Sequence, residues 1–244
     1  MRFTAIVLVP LAGALVAAAA SAPPPQSSDG YLARRVDILV YPGTGGFESS
    51  GRQLTVDREV SLFAGYLWRH SLRRLSVDAR ITIVPRRLYP EEFRDYGETF
   101  GWLMDRSARV DADLKERGLQ PSSLILLYLP PADHPARLAG RTFFEGAHSS
   151  IPIRDVYFQD DGFSRPLHLV MAHEFLHQID IEFSRLHHPA EFLDPDGAGT
   201  PEYPSCIDPG GGDLSLRSLL QFNRECRPVR WDLLAPEHGE WISR

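Results

Sequence analysis

Three features of the sequence point to an α/β or α+β lobe, of which α+β on a mixed sheet is the expectation. Short apolar runs rich in Val, Ile, Leu and Tyr alternate with longer stretches of helical period, and after residue 189 the composition turns to Pro, Gly and Asp. The expectation is a sheet-bearing part with one long buried helix, followed by a helical, loop-rich C-terminal part. The chain opens with Arg2, an almost wholly apolar run over 5–20 and the small residues Ala18, Ala19 and Ala20. This order predicts an export leader over residues 1–20, because the run is short for a membrane span and has no flanking charges. Residues 21–35, rich in Pro, Ser and Gln at their start, are expected to be a flexible N-terminal segment, and residues 36–244 one further domain.

The first element expected is a strand over 36–41, VDILVY, ended by Pro42. The GTGG that follows lacks the Lys and hydroxyl residue of a phosphate loop and reads as a turn. A helix over 54–72 is signalled by Val56, Val60, Phe63, Ala64, Leu67 and Trp68 at helical spacing, with Thr55 as cap. A strand over 79–85, a helix over 103–118 stopped by Gly118, and a strand over 123–129 stopped by Pro130 and Pro131 come next. Residues 140–159 alternate through Ile151, Ile153, Val156 and Phe158, which predicts one or two strands including an edge beside the following helix. That helix starts at Arg165 or Pro166 and stays apolar toward Pro189. A long irregular loop to Asp213, a helix over 214–225 and a short packed tail through Trp231, Leu233 and Leu234 complete the chain.

The formal charge is −6, and −7 without Arg2, so no nucleic-acid partner is expected; the Arg pairs at 34–35, 73–74 and 86–87 read as solvated faces. Cys206 and Cys226 are the two cysteines, and in an exported chain they are expected to pair as a disulfide. Without the leader, no stable membrane insertion is expected, and a secreted or periplasmic location follows. The sequence leaves the oligomeric state open.

The long apolar helix carries HEFLH. His173 and His177 lie one turn apart, so their imidazoles project from one face and can grip one ion. Glu174 projects about 100° away, where it can take a proton from a water activated by that ion and later deliver it to the leaving group. Two neutral imidazoles with a neighbouring carboxylate suit Zn2+, which acidifies water and polarises the bond to be cut. Burying such groups without a shared purpose costs several kcal/mol unless each finds another partner.

In this motif the chain resembles the zincin metallopeptidases, whose two zinc-binding histidines match His173 and His177 and whose general-base glutamate matches Glu174. The resemblance implies a zincin-like catalytic domain over residues 36–244, a zinc cofactor, and an extended peptide or protein substrate supported by an edge strand. Asp180 and Phe183 stand where the extended metzincin signature has a glycine and a third histidine, so the likeness is to zincins whose third ligand lies farther along.

Several residues compete for the third-ligand position. Asp180 lies on nearly the same helical face as the histidines and is expected to orient an imidazole or a neighbouring loop. His187 and His188 reach the same ion only if the helix ends near Phe183, because ten residues of straight helix rise about 15 Å. Glu191, Asp194, Glu202, Asp208 and Asp213 occupy the acidic loop. Asp208, beside Cys206 where a disulfide stiffens the chain, is the expected ligand; the resemblance favours Glu225, beside the other cysteine. For the developing oxyanion, Tyr203 is the first candidate donor, with Tyr157 and His148 behind it. The function expected is peptide-bond hydrolysis. A zinc hydrolase acting on another polymer and an exported binding module stabilised by a metal are the alternatives.

Overall fold

A computed structural model of the chain describes residues 29–42, 52–137, 139–143, 148–153, 166–192, 194–197, 203–210 and 212–244. The expected leader, the glycine-rich turn after Pro42, and Val156, Tyr157, Phe158 and Glu202 lie outside these residues.

Strand β1 (Gly30–Tyr41) is twelve residues long and is followed by helix α1 (Arg52–His70) and strand β2 (Leu75–Ile83), which runs parallel to β1 with Leu32 opposite Leu75 and Val40 opposite Ile83. Strands β3 (Phe93–Asp95) and β4 (Trp102–Met104) form a small antiparallel pair around helix α2 (Gly97–Phe100). Helix α3 (Ala108–Glu116) precedes strand β5 (Leu124–Tyr128), edge strand β6 (Arg141–Phe143) and strand β7 (His148–Pro152). Helix α4 (Leu167–Arg185) carries the HEFLH motif, and α5 (Gly212–Leu219), α6 (Ala235–His238) and β8 (Glu240–Ser243) follow.

The main sheet is mixed. Its order is β2-β1-β5-β7-β6, the first four strands parallel and β6 antiparallel to β7, while β8 pairs antiparallel with the start of β1. Successive side chains of β1 and β5 enter two different cores. Ile38, Val40, Ile125 and Leu127 pack with α1 and α4, whereas Leu39, Tyr41, Leu124, Leu126 and Tyr128 pack with Val110 and Leu114 of α3. Burial on both faces explains why these strands read as unbroken apolar runs rather than as alternating ones.

Three sequence expectations are corrected. β1 starts at Gly30 rather than at residue 36, because β8 pairs with Gly30 to Ala33. The segment read as a helix over 103–118 divides into β4 and α3, since the Ser107 hydroxyl accepts from Val110 N–H and starts the helix there; Gly118, at φ 63°, ends it as expected. The helix expected over 214–225 stops at Leu219. Asn223 then accepts from the N–H groups of Glu225 and Arg227, building a tight turn.

Helix α4 is held at both ends by residues distant in sequence. Pro166 at its start offers no side-chain cap, and Glu59 of α1 accepts instead from His168 N–H at 3.0 Å and from the His168 ring at 2.8 Å. Burial pushes the Glu59 carboxyl up, but the His168 hydrogen bonds outweigh it and hold its pKa below the ordinary value. Near the other end, Glu182 takes both guanidinium NH groups of Arg34 on β1, and the pair is almost wholly buried, with Ser123 also accepting from Arg34. Phe63 of α1 meets Phe175 of α4 edge to face, with ring centroids 5.8 Å apart.

Cys206 and Cys226 form the expected disulfide, enclosing α5. A crosslink across this 20-residue separation restrains the unfolded chain and contributes about 3 kcal/mol. Urea unfolding of a Cys206→Ala/Cys226→Ala double variant is expected to show a loss of that size, and an unchanged midpoint would show that the crosslink leaves stability untouched. No helix among the described residues is long and apolar enough to cross a membrane.

Candidate metal centre

Local geometry of α4 places His173 and His177 together: the two Nε2 atoms are 3.3 Å apart, with side chains 16% and 15% exposed. The structure adds a partner that the sequence reading passed over. Asp196, in the short helical turn Pro195–Gly197, puts Oδ1 3.0 Å from His173 Nε2 and Oδ2 3.5 Å from His177 Nε2. Among the described residues, His173, His177 and Asp196 are the group whose ligand atoms all lie within 4.8 Å of one another.

These spacings fit a shared tetrahedral cation. Two nitrogens each about 2.05 Å from a zinc ion stand about 3.3 Å apart at the tetrahedral angle, and a carboxylate oxygen at about 2.0–2.2 Å stands at a similar distance from both. The donor set, two imidazoles and a carboxylate, is that of three-ligand catalytic zinc sites, and the 71% exposure of Asp196 leaves the site open to solvent.

Asp194 organises the centre. Its Oδ1 accepts from Asp196 N–H at 3.0 Å and lies 3.3 Å from His177 Nδ1. A proton on Nδ1 facing this carboxylate leaves the Nε2 lone pair free for a cation. The signal in the sequence was the turn chemistry of Asp194-Pro195-Asp196-Gly197, in which an Asp bonds the backbone two residues on.

The electrostatics favour positive charge at His177. Burial alone would lower the His177 pKa, but Asp196, Glu174 and Asp194 outweigh it and raise the value. The two imidazoles hold the Asp196 carboxyl far below the ordinary carboxylate range. A field that attracts a proton to this point attracts a metal cation for the same reason.

Glu174 is 5% exposed and turns toward β6, where its Oε2 lies 2.9 Å from Thr142 Oγ1. Burial raises its pKa, while His173, His177 and Thr142 pull it back. A carboxyl raised above its ordinary pKa holds a proton more readily than an exposed one, as a group that accepts and returns a proton must.

The other candidates fall elsewhere. The carboxylate beside both histidines belongs to Asp196 and not to Asp208, whose Oδ1 accepts from Gly210 N–H at 2.8 Å and so closes its own turn. The physical reason lies in the return of the chain. His187, at φ 61°, ends α4 in a left-handed cap, with His188 N–H bonded to Phe183 O and His187 N–H to Ser184 O. Both histidines are exposed cap residues rather than ligands. The chain then runs back along the helix, where Arg224 fastens it through Pro189 O at 3.1 Å and Phe192 O at 3.2 Å, and Asp194 and Asp196 follow at once. Asp180 is half-buried and has its pKa raised by burial and by Asp194; the carboxylate that meets the His177 ring is Asp194's. Glu225 is ion-paired with Arg227, Glu191 accepts from Asn223 and Arg230, and Asp213 is tied to Tyr66 and Arg217.

Tyr203 packs against the main core and its hydroxyl is shielded from solvent, so this conformation does not present it to a substrate. His148 points away from α4, because its neighbour Ser149 faces that helix and strand side chains alternate. The buried His148 ring stacks on Phe143, with Nε2 3.5 Å from Asp105 Oδ1. This partner holds the Asp105 carboxyl below its ordinary pKa against the opposing effect of burial. The folded state therefore binds fewer protons than the unfolded chain at acid pH, and the contribution is present above the ordinary Asp value of about 3.9 and lost as pH falls through the lowered one. Asp105→Asn is expected to flatten the acid limb of a stability curve measured between about pH 7 and pH 3; an unaltered slope would contradict the pairing.

No protein-family model matches the chain, and a search of curated proteins finds none significantly similar to it.

Proposed function

We propose that this chain is an exported zinc hydrolase of zincin-like fold that cleaves peptide bonds in extended substrates. The observation that carries the reading is the convergence of His173, His177 and Asp196 on one point, with the buried carboxylate of Glu174 near enough to feel the charge of both imidazoles. A zinc ion held there supplies Lewis acidity and lowers the pKa of water toward neutrality. The chain's own groups do the rest. Asp194 orients the His177 ring, and Glu174 takes the proton from the attacking water and returns it to the leaving amine. Strand β6, last in the sheet order and next to α4, offers a sheet edge along which an extended peptide can lie. The Cys206–Cys226 disulfide suits an oxidising compartment, in keeping with export.

The test is metal analysis of the purified mature chain together with digestion of a broad peptide library. About one zinc per chain and cleavage abolished by a chelator are expected. Absence of any bound divalent ion would overturn the reading. A bound ion with no cleavage of any peptide would turn it toward another polymer or a metal-stabilised binding module.

A further inference from the structure

The carboxylate of Glu174 is clamped by two residues of one strand that no part of the HEFLH motif announces. Gly140 lies just before β6, and a Cβ built on it would stand 2.8 Å from Glu174 Oε1, 2.9 Å from Cγ and 3.0 Å from Cδ. The carboxylate thus rests against bare backbone, in space that any side chain would take. On its other side, Thr142 Oγ1 lies 2.9 Å from Oε2 and 2.7 Å from the backbone oxygen of the same residue.

The direction of the hydrogen bonds follows from counting hydrogens. Gln178 Nε2 faces Leu124 O at 3.0 Å, and a carbonyl can only accept, so this end of the amide is the donor. Its second hydrogen goes to Ser149 Oγ at 2.7 Å. Ser149 then has its own hydrogen for Thr142 Oγ1 at 2.9 Å or Glu174 O at 3.2 Å. Thr142 also has one hydrogen to give. The Glu174 carbonyl already accepts within the helix, and an ionised carboxylate draws a donor more strongly, so the Thr142 hydrogen belongs to Oε2. Gln178, Ser149 and Thr142 form a buried relay that tethers Glu174 to the sheet, and Gln178 enters it one helical turn beyond Glu174.

We propose that Gly140 and Thr142 are positioning residues that set where the carboxylate of Glu174 stands relative to the histidine pair. The proposal rests on the reading of Glu174 as the base. Gly140 supplies the space and Thr142 the tether, so the edge strand and the base move as one piece. A small displacement of a proton acceptor lowers turnover without weakening substrate binding.

The experiment uses the purified zinc-loaded protein with a peptide that it cleaves. The three atoms nearest the Cβ of Gly140→Ala all belong to the Glu174 side chain and none to backbone, so the strain is expected to fall on the carboxylate, and an unchanged urea midpoint checks that the fold is retained. In Gly140→Ala and Thr142→Val, zinc content and KM are expected to stay within about twofold, while kcat falls about 10- to 100-fold, the range for groups that orient a metal site from outside. Thr142→Ser, which keeps the hydroxyl, is expected to recover most of kcat. Unchanged kcat in both Gly140→Ala and Thr142→Val would overturn the proposal, as would equal losses in the Val and Ser variants.

A second measurement needs no catalysis. Urea unfolding of the metal-free Thr142→Val, Glu174→Met and double variants is expected to be non-additive, and additivity would overturn the tether. Should the wild-type protein cleave no peptide, the peptidase reading fails by itself and this coupling still decides whether Thr142 holds Glu174.

Discussion

Glu174→Gln is expected to leave the zinc content near one per chain and to lower peptide hydrolysis by about 10²- to 10⁴-fold, the usual worth of a positioned general base. The substitution changes little in shape. Gln retains an oxygen that can accept from Thr142 Oγ1, so the relay through Ser149 and Gln178 persists, and only the capacity to take and return a proton is lost. Stability supplies an independent check. The pKa of Glu174 is raised by burial, so between its unfolded and folded values the native state binds more protons than the unfolded one. Stability of the metal-free protein therefore falls as pH rises through that window, and the full penalty persists above it. The Gln variant, with no charge to bury, is expected to unfold at higher urea than wild type above that window. Lost turnover with gained stability is the pattern of a functional group held at the fold's expense. Loss of zinc in this variant, or hydrolysis at the wild-type rate, would sink the assignment of Glu174 as base.

Asp196→Ala is expected to weaken zinc binding more than 100-fold in competition with a chelator, beyond the 10- to 100-fold typical of residues outside the ligand set. Asp208→Ala is expected to leave affinity as it was. The contrast follows from geometry: the Asp196 oxygens stand 3.0 and 3.5 Å from the two Nε2 atoms, whereas the Asp208 carboxylate closes its own turn at Gly210. Asp194→Ala should fall between, because Asp194 holds both the backbone of Asp196 and the Nδ1 side of His177 without facing Nε2. Equal effects of the Asp196 and Asp208 substitutions would remove Asp196 from the ligand set.

Much of this centre was legible before any coordinates. A four-residue spacing on a helix places two side chains on one face by local geometry alone, so His173 and His177 needed nothing beyond the helical period. With two cysteines in the chain, the Cys206–Cys226 pairing had no competitor. The apolar runs of β1 and β5 announced strands; that both faces of these strands are covered came from the fold. Asp196 was passed over because the acidic loop offers several carboxylates of equal chemistry; the turn signal at Asp194-Pro195-Asp196-Gly197 marks a turn but does not say that it returns to the helix.

Local pattern, then, determined the helix, the histidine pair, the neighbouring carboxylate and the presence of strands β1, β2, β5 and β7, since each depends on residues a few positions apart. Tertiary structure decided the rest: the left-handed cap at His187 that reverses the chain, the grip of Arg224 on the returning segment, the pairing of β8 with β1, and the strand that clamps Glu174. Apart from the cap, whose hydrogen bonds are local, these join residues tens to hundreds of positions apart. Their contacts depend on how whole elements pack, which no short window of sequence encodes.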